Sequence, residues 1–234
     1  MNDSRTPKTL RHLARLLACG LALAASPAAA RDDEQIWLNV TAMGPVSGNL
    51  LYFAEFQARG GIGDDAYRQL NVRPAVGWRI NSQVSAYLGY VYVPTDINDN
   101  RANTENRVYQ QLGWSFGKTA IGELSSRSRL EQRFRSDGSD TGWRFRQLLR
   151  TVVPIQSNPR PIKALATVEV FANLNTTDWG ARSGFDQLRS FVGVEIPIQG
   201  RSTIEAGYLN QAINRPNADL RVNHVLSIAL FIRR

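Results

Sequence analysis

The sequence predicts an all-β fold, an antiparallel up-and-down transmembrane β-barrel of about ten to twelve strands. Three observations predict it. After the first thirty residues, the chain repeats one unit, a stretch of about ten residues with alternating character followed by a break. The breaks alternate between compact and long, and the long ones hold the aspartates. No stretch beyond residue 30 has the 18 or so consecutive apolar residues that a membrane helix needs.

Residues 1–30 read as a secretory signal peptide, and residues 31–234 as the barrel domain. Arg5, Lys8, Arg11 and Arg15 precede an apolar run from Leu16 to Ala25, and small residues end at Ala28-Ala29-Ala30, where cleavage is expected. Cys19 lies in this leader and raises a lipoprotein alternative; it is the chain's one cysteine, so the remainder can form no disulfide. The net charge of +8 and pI of 10.1 invite a nucleic-acid reading. The leader holds four of the 28 basic and one of the 20 acidic residues, which leaves 24 against 19, a net +5. That charge is spread along many segments beside glutamates instead of forming one patch, which argues against a nucleic-acid partner.

Strands are expected near 35–43, 50–59, 67–80, 84–93, 106–116, 121–134, 142–153, 163–173, 185–196, 203–212 and 221–232. Eleven is an odd number. With both termini expected on the periplasmic side, residues 35–43 read as a periplasmic or plugging segment, which leaves ten strands to satisfy parity. Compact breaks fall around 44–49, 81–83, 117–120, 154–162 and 197–202 and contain no acid. The long breaks lie around 60–66, 94–105, 135–141, 174–184 and 213–220 and have the aspartates in them or at their edges, once Asp32 and Asp33 are assigned to the leader. Sorting charge by end suits a barrel with one end in the outer leaflet, with the Asp-bearing loops outward and the compact turns periplasmic.

Alternation puts Leu50, Tyr52, Ala54 and Phe56, or Val84, Ala86, Leu88 and Tyr90, on one face, and Glu55, Gln57 and Arg59 on the other. Aromatic side chains on the apolar face collect into two belts. Tyr52, Trp78, Trp114 and Phe116 lie beside compact turns, and Tyr90, Tyr92, Phe134 and Trp143 beside long loops. Ser125 to Phe134, SSRSRLEQRF, follows the same rule: as a strand it sends Arg127, Arg129, Glu131 and Arg133 to one face. A soluble periplasmic lipid-binding barrel is the alternative that alternation alone leaves open.

The inner face is expected to carry a charge lattice of Arg59, Arg73, Arg127, Arg129, Arg133, Arg144, Arg146, Arg150 and Arg189 with Glu55, Glu123, Glu131, Glu169, Glu195 and Glu205. Arginine suits such a lattice because its planar fork binds carboxylates bidentately and stays charged. The lattice is either a paired filling or the lining of a narrow, porin-like pathway for small anionic solutes. A lipid hydrolase built on His224 is a third reading. Ser227 lies three residues along the same strand, on the opposite face, so only a serine from another strand, such as Ser190, could approach.

GIGDDA, Gly61 to Ala66, matches a dinucleotide-binding pattern but lacks the helix that pattern needs, since 67–80 contains Pro74 and alternates at period two. It reads as a loop. The loop aspartates lack EF-hand spacing, so no metal and no cofactor are expected, although they can share divalent cations with lipopolysaccharide phosphates. The expected partners are outer-membrane lipid, lipopolysaccharide and the barrel assembly machinery.

RLEQRF (Arg129–Phe134), GWRFRQ (Gly142–Gln147), TDWG (Thr177–Gly180), GFDQ (Gly184–Gln187) and GYLNQ (Gly207–Gln211) resemble an uncharacterised bacterial family, domain of unknown function 2490, over about Gln35 to Phe231. The resemblance implies an outer-membrane-type barrel in a Gram-negative bacterium, with no assigned activity. The chain departs from a common outer-membrane ending in that Phe231 is followed by Ile232-Arg233-Arg234.

Overall fold

Ten antiparallel pairings and one parallel pairing close the chain on itself in a computed structural model that describes residues 31–62, 68–96, 103–215 and 218–234. The strands are β1 (Arg31–Ser47), β2 (Leu50–Gly61), β3 (Arg68–Arg79), β4 (Val84–Asp96), β5 (Asn103–Thr119), β6 (Gly122–Arg135), β7 (Gly142–Pro154), β8 (Lys163–Asn173), β9 (Gly184–Pro197), β10 (Thr203–Ile213) and β11 (Arg221–Arg233). All eleven expected segments are strands, and no helix forms among the described residues. Residues 1–30, the expected leader, and most of the GIGDDA stretch lie outside the described residues.

The first expected strand needs correction. Residues 35–43 are neither a plug nor a detached segment. β1 runs from Arg31 to Ser47 and is a full stave, antiparallel to β2 and parallel to β11, in register from Arg31↔Arg221 to Met43↔Arg233. The physical reason is that β1 has the same two-sided alternation as the other staves, with Ile36, Leu38 and Val40 outward and Trp37 and Thr41 buried inward. Its own backbone groups are paired on both edges only when it inserts between β2 and β11. An odd stave count makes that seam parallel. It also places the described N-terminus at the long-loop end and the C-terminus at the compact-turn end, not both at one end as expected. Asp33, assigned to the leader from sequence, lies in β1 and its carboxylate accepts a hydrogen bond from Arg221.

Four of the five compact breaks are shorter than expected because strands run on into them, while the one between β3 and β4, residues 80–83, is one residue longer. Gly48 and Asn49 alone connect β1 to β2, and Ala120 and Ile121 connect β5 to β6. Gly48 adopts φ 53°, the left-handed conformation that a two-residue turn requires.

The faces sort as the alternation predicts. Outward-facing Leu38, Val76, Leu88, Leu149 and Leu226 are about half exposed, and the expected belt residues Trp78, Trp114, Phe116, Tyr92, Phe134 and Trp143 are exposed toward strand ends, with Tyr90 exposed at the middle of β4 and Tyr52 partly covered. Trp114 and Phe116 stack with ring centroids 5.9 Å apart. The inward face is buried. One apolar cluster there joins Ala75, Val91, Val93 and Tyr109 with Phe53 and Tyr87. A second joins Val152, Leu165 and Phe191 with Leu209. Tyr109 can lie across β4 because residue 89 is glycine: a methyl group there would collide with the phenol ring.

Candidate functional site

Every charged residue expected on the inner face is there, and most of them meet in one network. Eleven staves enclose a lumen too wide for valine and leucine alone to fill, so long side chains must bridge it. Glu131, on β6, is the hub, with no exposed surface. Its Oε2 accepts from Arg144 Nε at 3.1 Å and Nη2 at 2.7 Å, and its Oε1 accepts from Arg146 Nη1 at 2.7 Å. Arg129 Nη1 stands 3.5 Å from the same oxygen. Glu169 Oε1 accepts from Arg146 Nε at 3.0 Å and Nη2 at 2.8 Å, and from Arg127 Nη2 at 2.8 Å. A carboxylate removed from water needs such multiple donors to remain ionised, and fork-like guanidiniums supply them.

Aromatic rings extend this network across the lumen. The Arg59 guanidinium lies 4.0 Å from the Trp37 ring centroid, and that of Arg189 lies 5.0 Å from Trp37 and 4.6 Å from Phe171. Arg146 packs 4.4 Å from Phe171, and Arg129 4.2 Å from Tyr109. The chain of contacts therefore runs Arg59, Trp37, Arg189, Phe171, Arg146, Glu131, Arg129, Tyr109. It starts on β2 and ends on β5, following adjacent staves except between β1 and β9, where it spans β11 and β10. Tyr109 then joins the apolar cluster on β3 and β4, so linked side chains line the interior around most of its circumference.

The remaining expected residues form separate groups. Arg73 pairs with Glu55. Arg133 donates to Glu105 through Nε at 2.5 Å and Nη2 at 3.2 Å, beside Arg107, which holds the same carboxylate with Nε at 2.7 Å. At the turn end, Arg150 bridges Glu195 at 2.6 Å and Glu205 at 2.8 Å, and Lys163 reaches Glu123 at 3.1 Å. Sequence reasoning missed Arg107, Trp37, Tyr109 and Phe171, which alternation within the expected strands already places inward, and Glu105, which joins them once β5 starts at Asn103. It also took Asp186 for a loop acid, whereas its Oδ2 accepts from Arg144 Nη1 at 3.3 Å.

Two long loops lock over the loop end of this network. Asp178 Oδ2 accepts from the Ser139 backbone N–H and hydroxyl, both at 2.8 Å, and the Asp178 N–H donates to Asp140 Oδ2 at 2.8 Å. The Ser139 amide, then its hydroxyl, hold the Asp178 carboxyl below its ordinary range. Trp179 Nε1 donates to the Asp140 carbonyl at 2.8 Å, and the Arg133 guanidinium lies 4.9 Å from the Trp179 ring centroid. Residue 142 must be glycine for that ring to seat, since a methyl group would meet it. RLEQRF, GWRFRQ, TDWG and GFDQ thus converge on one region. GYLNQ joins it through the Gln211–Gln187 side-chain hydrogen bond.

His224 faces outward. Its Nδ1 is 2.6 Å from the Tyr208 hydroxyl, and the two rings are stacked. Ser190 and His224 both lie opposite Asn210 in register, so two strand spacings separate them. No group of three or more His, Cys, Asp or Glu able to hold a metal ion occurs among the described residues.

Comparison with known proteins matches residues 34–222 to the family model described as "Protein of unknown function (DUF2490)". The chain is also similar to an uncharacterised protein of Methylorubrum extorquens, 41% identical over 228 residues, covering 96% of this chain and 99% of that protein.

Proposed function

This chain belongs to the DUF2490 family of unknown function, and on that premise we propose that it is a closed outer-membrane barrel of a Gram-negative bacterium, filled rather than porin-like. The carrying observation is the burial of the inward-facing charges: Glu131 is 0% and Arg129 1% exposed, at mid-barrel, where an open pathway would leave both in water. The apolar outer face, with exposed rings near both ends, supports a bilayer surrounding, because water around the barrel would face a contiguous apolar girdle. The acid-free turns and the end of β11 face the periplasm in this reading, the Asp-bearing loops and the start of β1 face outward, and lipid, lipopolysaccharide and the barrel assembly machinery are the partners.

Fractionation, planar-bilayer recording and cysteine labelling test this together. The protein is expected in the outer-membrane fraction, with heat-modifiable gel mobility and no conductance. Ser183→Cys in the β8–β9 loop should react with an impermeant reagent on intact cells, and Ser157→Cys in the β7–β8 turn should not. Recovery as a soluble periplasmic protein overturns the location, stable conductance overturns the filled interior, and reversed labelling overturns the orientation.

A further inference from the structure

The turn end of the barrel opens into a cavity of about 400 Å³ that the lattice does not use. Arg79 from the end of β3, Arg201 from the β9–β10 turn and Arg233 from the end of β11 line it, and no aspartate or glutamate side chain does. Among the described residues no ion pair joins any of these three to a carboxylate, whereas Arg150 at the same end bridges two glutamates. Arg233 is positioned: its Nη1 donates to Thr203 Oγ1 at 2.7 Å, and its guanidinium lies 4.7 Å from the Phe231 ring centroid. The turn bearing Arg201 is also fixed, since Arg160 Nη2 donates to the carbonyls of Ile198 and Gly200, both at 2.5 Å.

Arg79, Arg201 and Arg234, together with Arg233 beside Glu205 and Glu195, give the concave wall an excess of positive charge that focuses potential into the space it encloses. Ser85, Ser115 and Ser125 add hydroxyl donors, and Leu51 and Tyr87 give the wall an apolar side. Forked donors combined with hydroxyls suit a tetrahedral oxyanion, and the volume falls in the range of small-ligand sites. We propose that this vestibule binds a phosphate ester, with the phosphate among Arg79, Arg201 and Arg233 and its organic substituent against Leu51 and Tyr87. The ester is either a free solute or the headgroup of an anionic phospholipid, because outward-facing Trp114 is among the residues bordering the cavity.

The site is a property of the barrel and does not depend on the compartment, so the full chain purified in detergent tests it. Glycerol 1-phosphate, titrated by calorimetry, should bind saturably and more weakly as salt rises, and uncharged glycerol should not bind. The Arg79→Gln/Arg201→Gln double variant should lose at least tenfold in affinity while keeping parental heat-modifiable mobility, since neither residue belongs to the lattice. If the soluble ester fails to bind, nanodiscs decide: enrichment of phosphatidylglycerol over phosphatidylcholine by the parent, lost in the double variant, makes the headgroup the source and upholds the phosphate site. Absence of both effects overturns the proposal, as does binding that the double variant leaves unchanged.

Discussion

On the β5–β9 side of the interior, closure depends on charge: Arg127, Arg129, Arg144 and Arg146 share Glu131 and Glu169 at hydrogen-bonding or ion-pair distance. On the β2–β5 side, closure depends on volume, with Phe53, Ala75, Tyr87, Val91, Val93 and Tyr109 packed together. Both sides exclude water, yet RLEQRF, GWRFRQ, TDWG and GFDQ lie on or beside the charged one. An apolar cluster accepts many combinations of similar volume, whereas each guanidinium needs a carboxylate at one position and angle. The charged side therefore carries the more specific pattern in the sequence.

The largest expected effect follows from removing the hub. Glu131→Ala leaves Arg129, Arg144 and Arg146 without their shared carboxylate in a fully buried place, and the loss expected from breaking a buried pair is about 3–5 kcal/mol. The midpoint of urea unfolding in detergent measures it. A loss no larger than that of an exposed substitution would show that water reaches the lattice and that its two-sided contrast with the apolar cluster is wrong.

Arg129→Ala sits on the border between the two sides and should cost less, about 2 kcal/mol. Glu131 keeps Arg144 and Arg146, and what disappears is the longer ion-pair contact with Glu131, two donations to Gln111 Oε1 and the packing on Tyr109. Bilayers should stay silent. Conductance in this variant would mean that one side chain closes the section, contrary to the filled reading. Val91→Ala, within the apolar cluster, removes fully buried methyl groups and should cost about 1–2 kcal/mol by cavity formation, with the lattice intact. An effect exceeding that of Glu131→Ala would reverse the ranking of the two sides.

Much of this was legible beforehand because strand alternation is local. The period of two placed Arg127, Arg129, Glu131 and Arg133 on one face and Leu130 and Phe134 on the other, and the barrel keeps that assignment. Closure was not legible: the β1–β11 seam joins residues about 190 positions apart, such as Arg31 and Arg221, and parity alone favoured setting β1 aside. Pairing within the lattice was not legible either. Alternation states which face a charge occupies, while the choice of Glu131 over Glu169 depends on barrel stagger and side-chain reach. The clasp of Asp178 on Ser139 was hidden for another reason, since its donors lie in a different loop, 39 residues away. The turn-end arginines left a trace in the acid-free compact turns, but their convergence around a cavity is a product of closure.

The smallest expected effect concerns the clasp itself, which sits above the charged side and has no counterpart over the apolar cluster among the described residues. Asp178 is a carboxylate whose folded value is depressed, first by the Ser139 amide and then by its hydroxyl. Its contribution is therefore fully present above the unfolded carboxylate value, near 4, and is lost as pH falls through the lower folded value. Acidification below pH ~4 should release the 136–141 loop while the strands beneath stay closed. Hydrogen exchange at Ser139 and Asp140, corrected for the intrinsic rate at each pH, reads this directly: protection should fall in acid in the parent and be weak and nearly pH-independent in Asp178→Asn. Trp179 should follow, since its indole N–H is held by the Asp140 carbonyl. Equal protection in parent and variant at neutral pH would show that Trp179, packed over Gly142 beside Arg133, holds the loops together without the carboxylate.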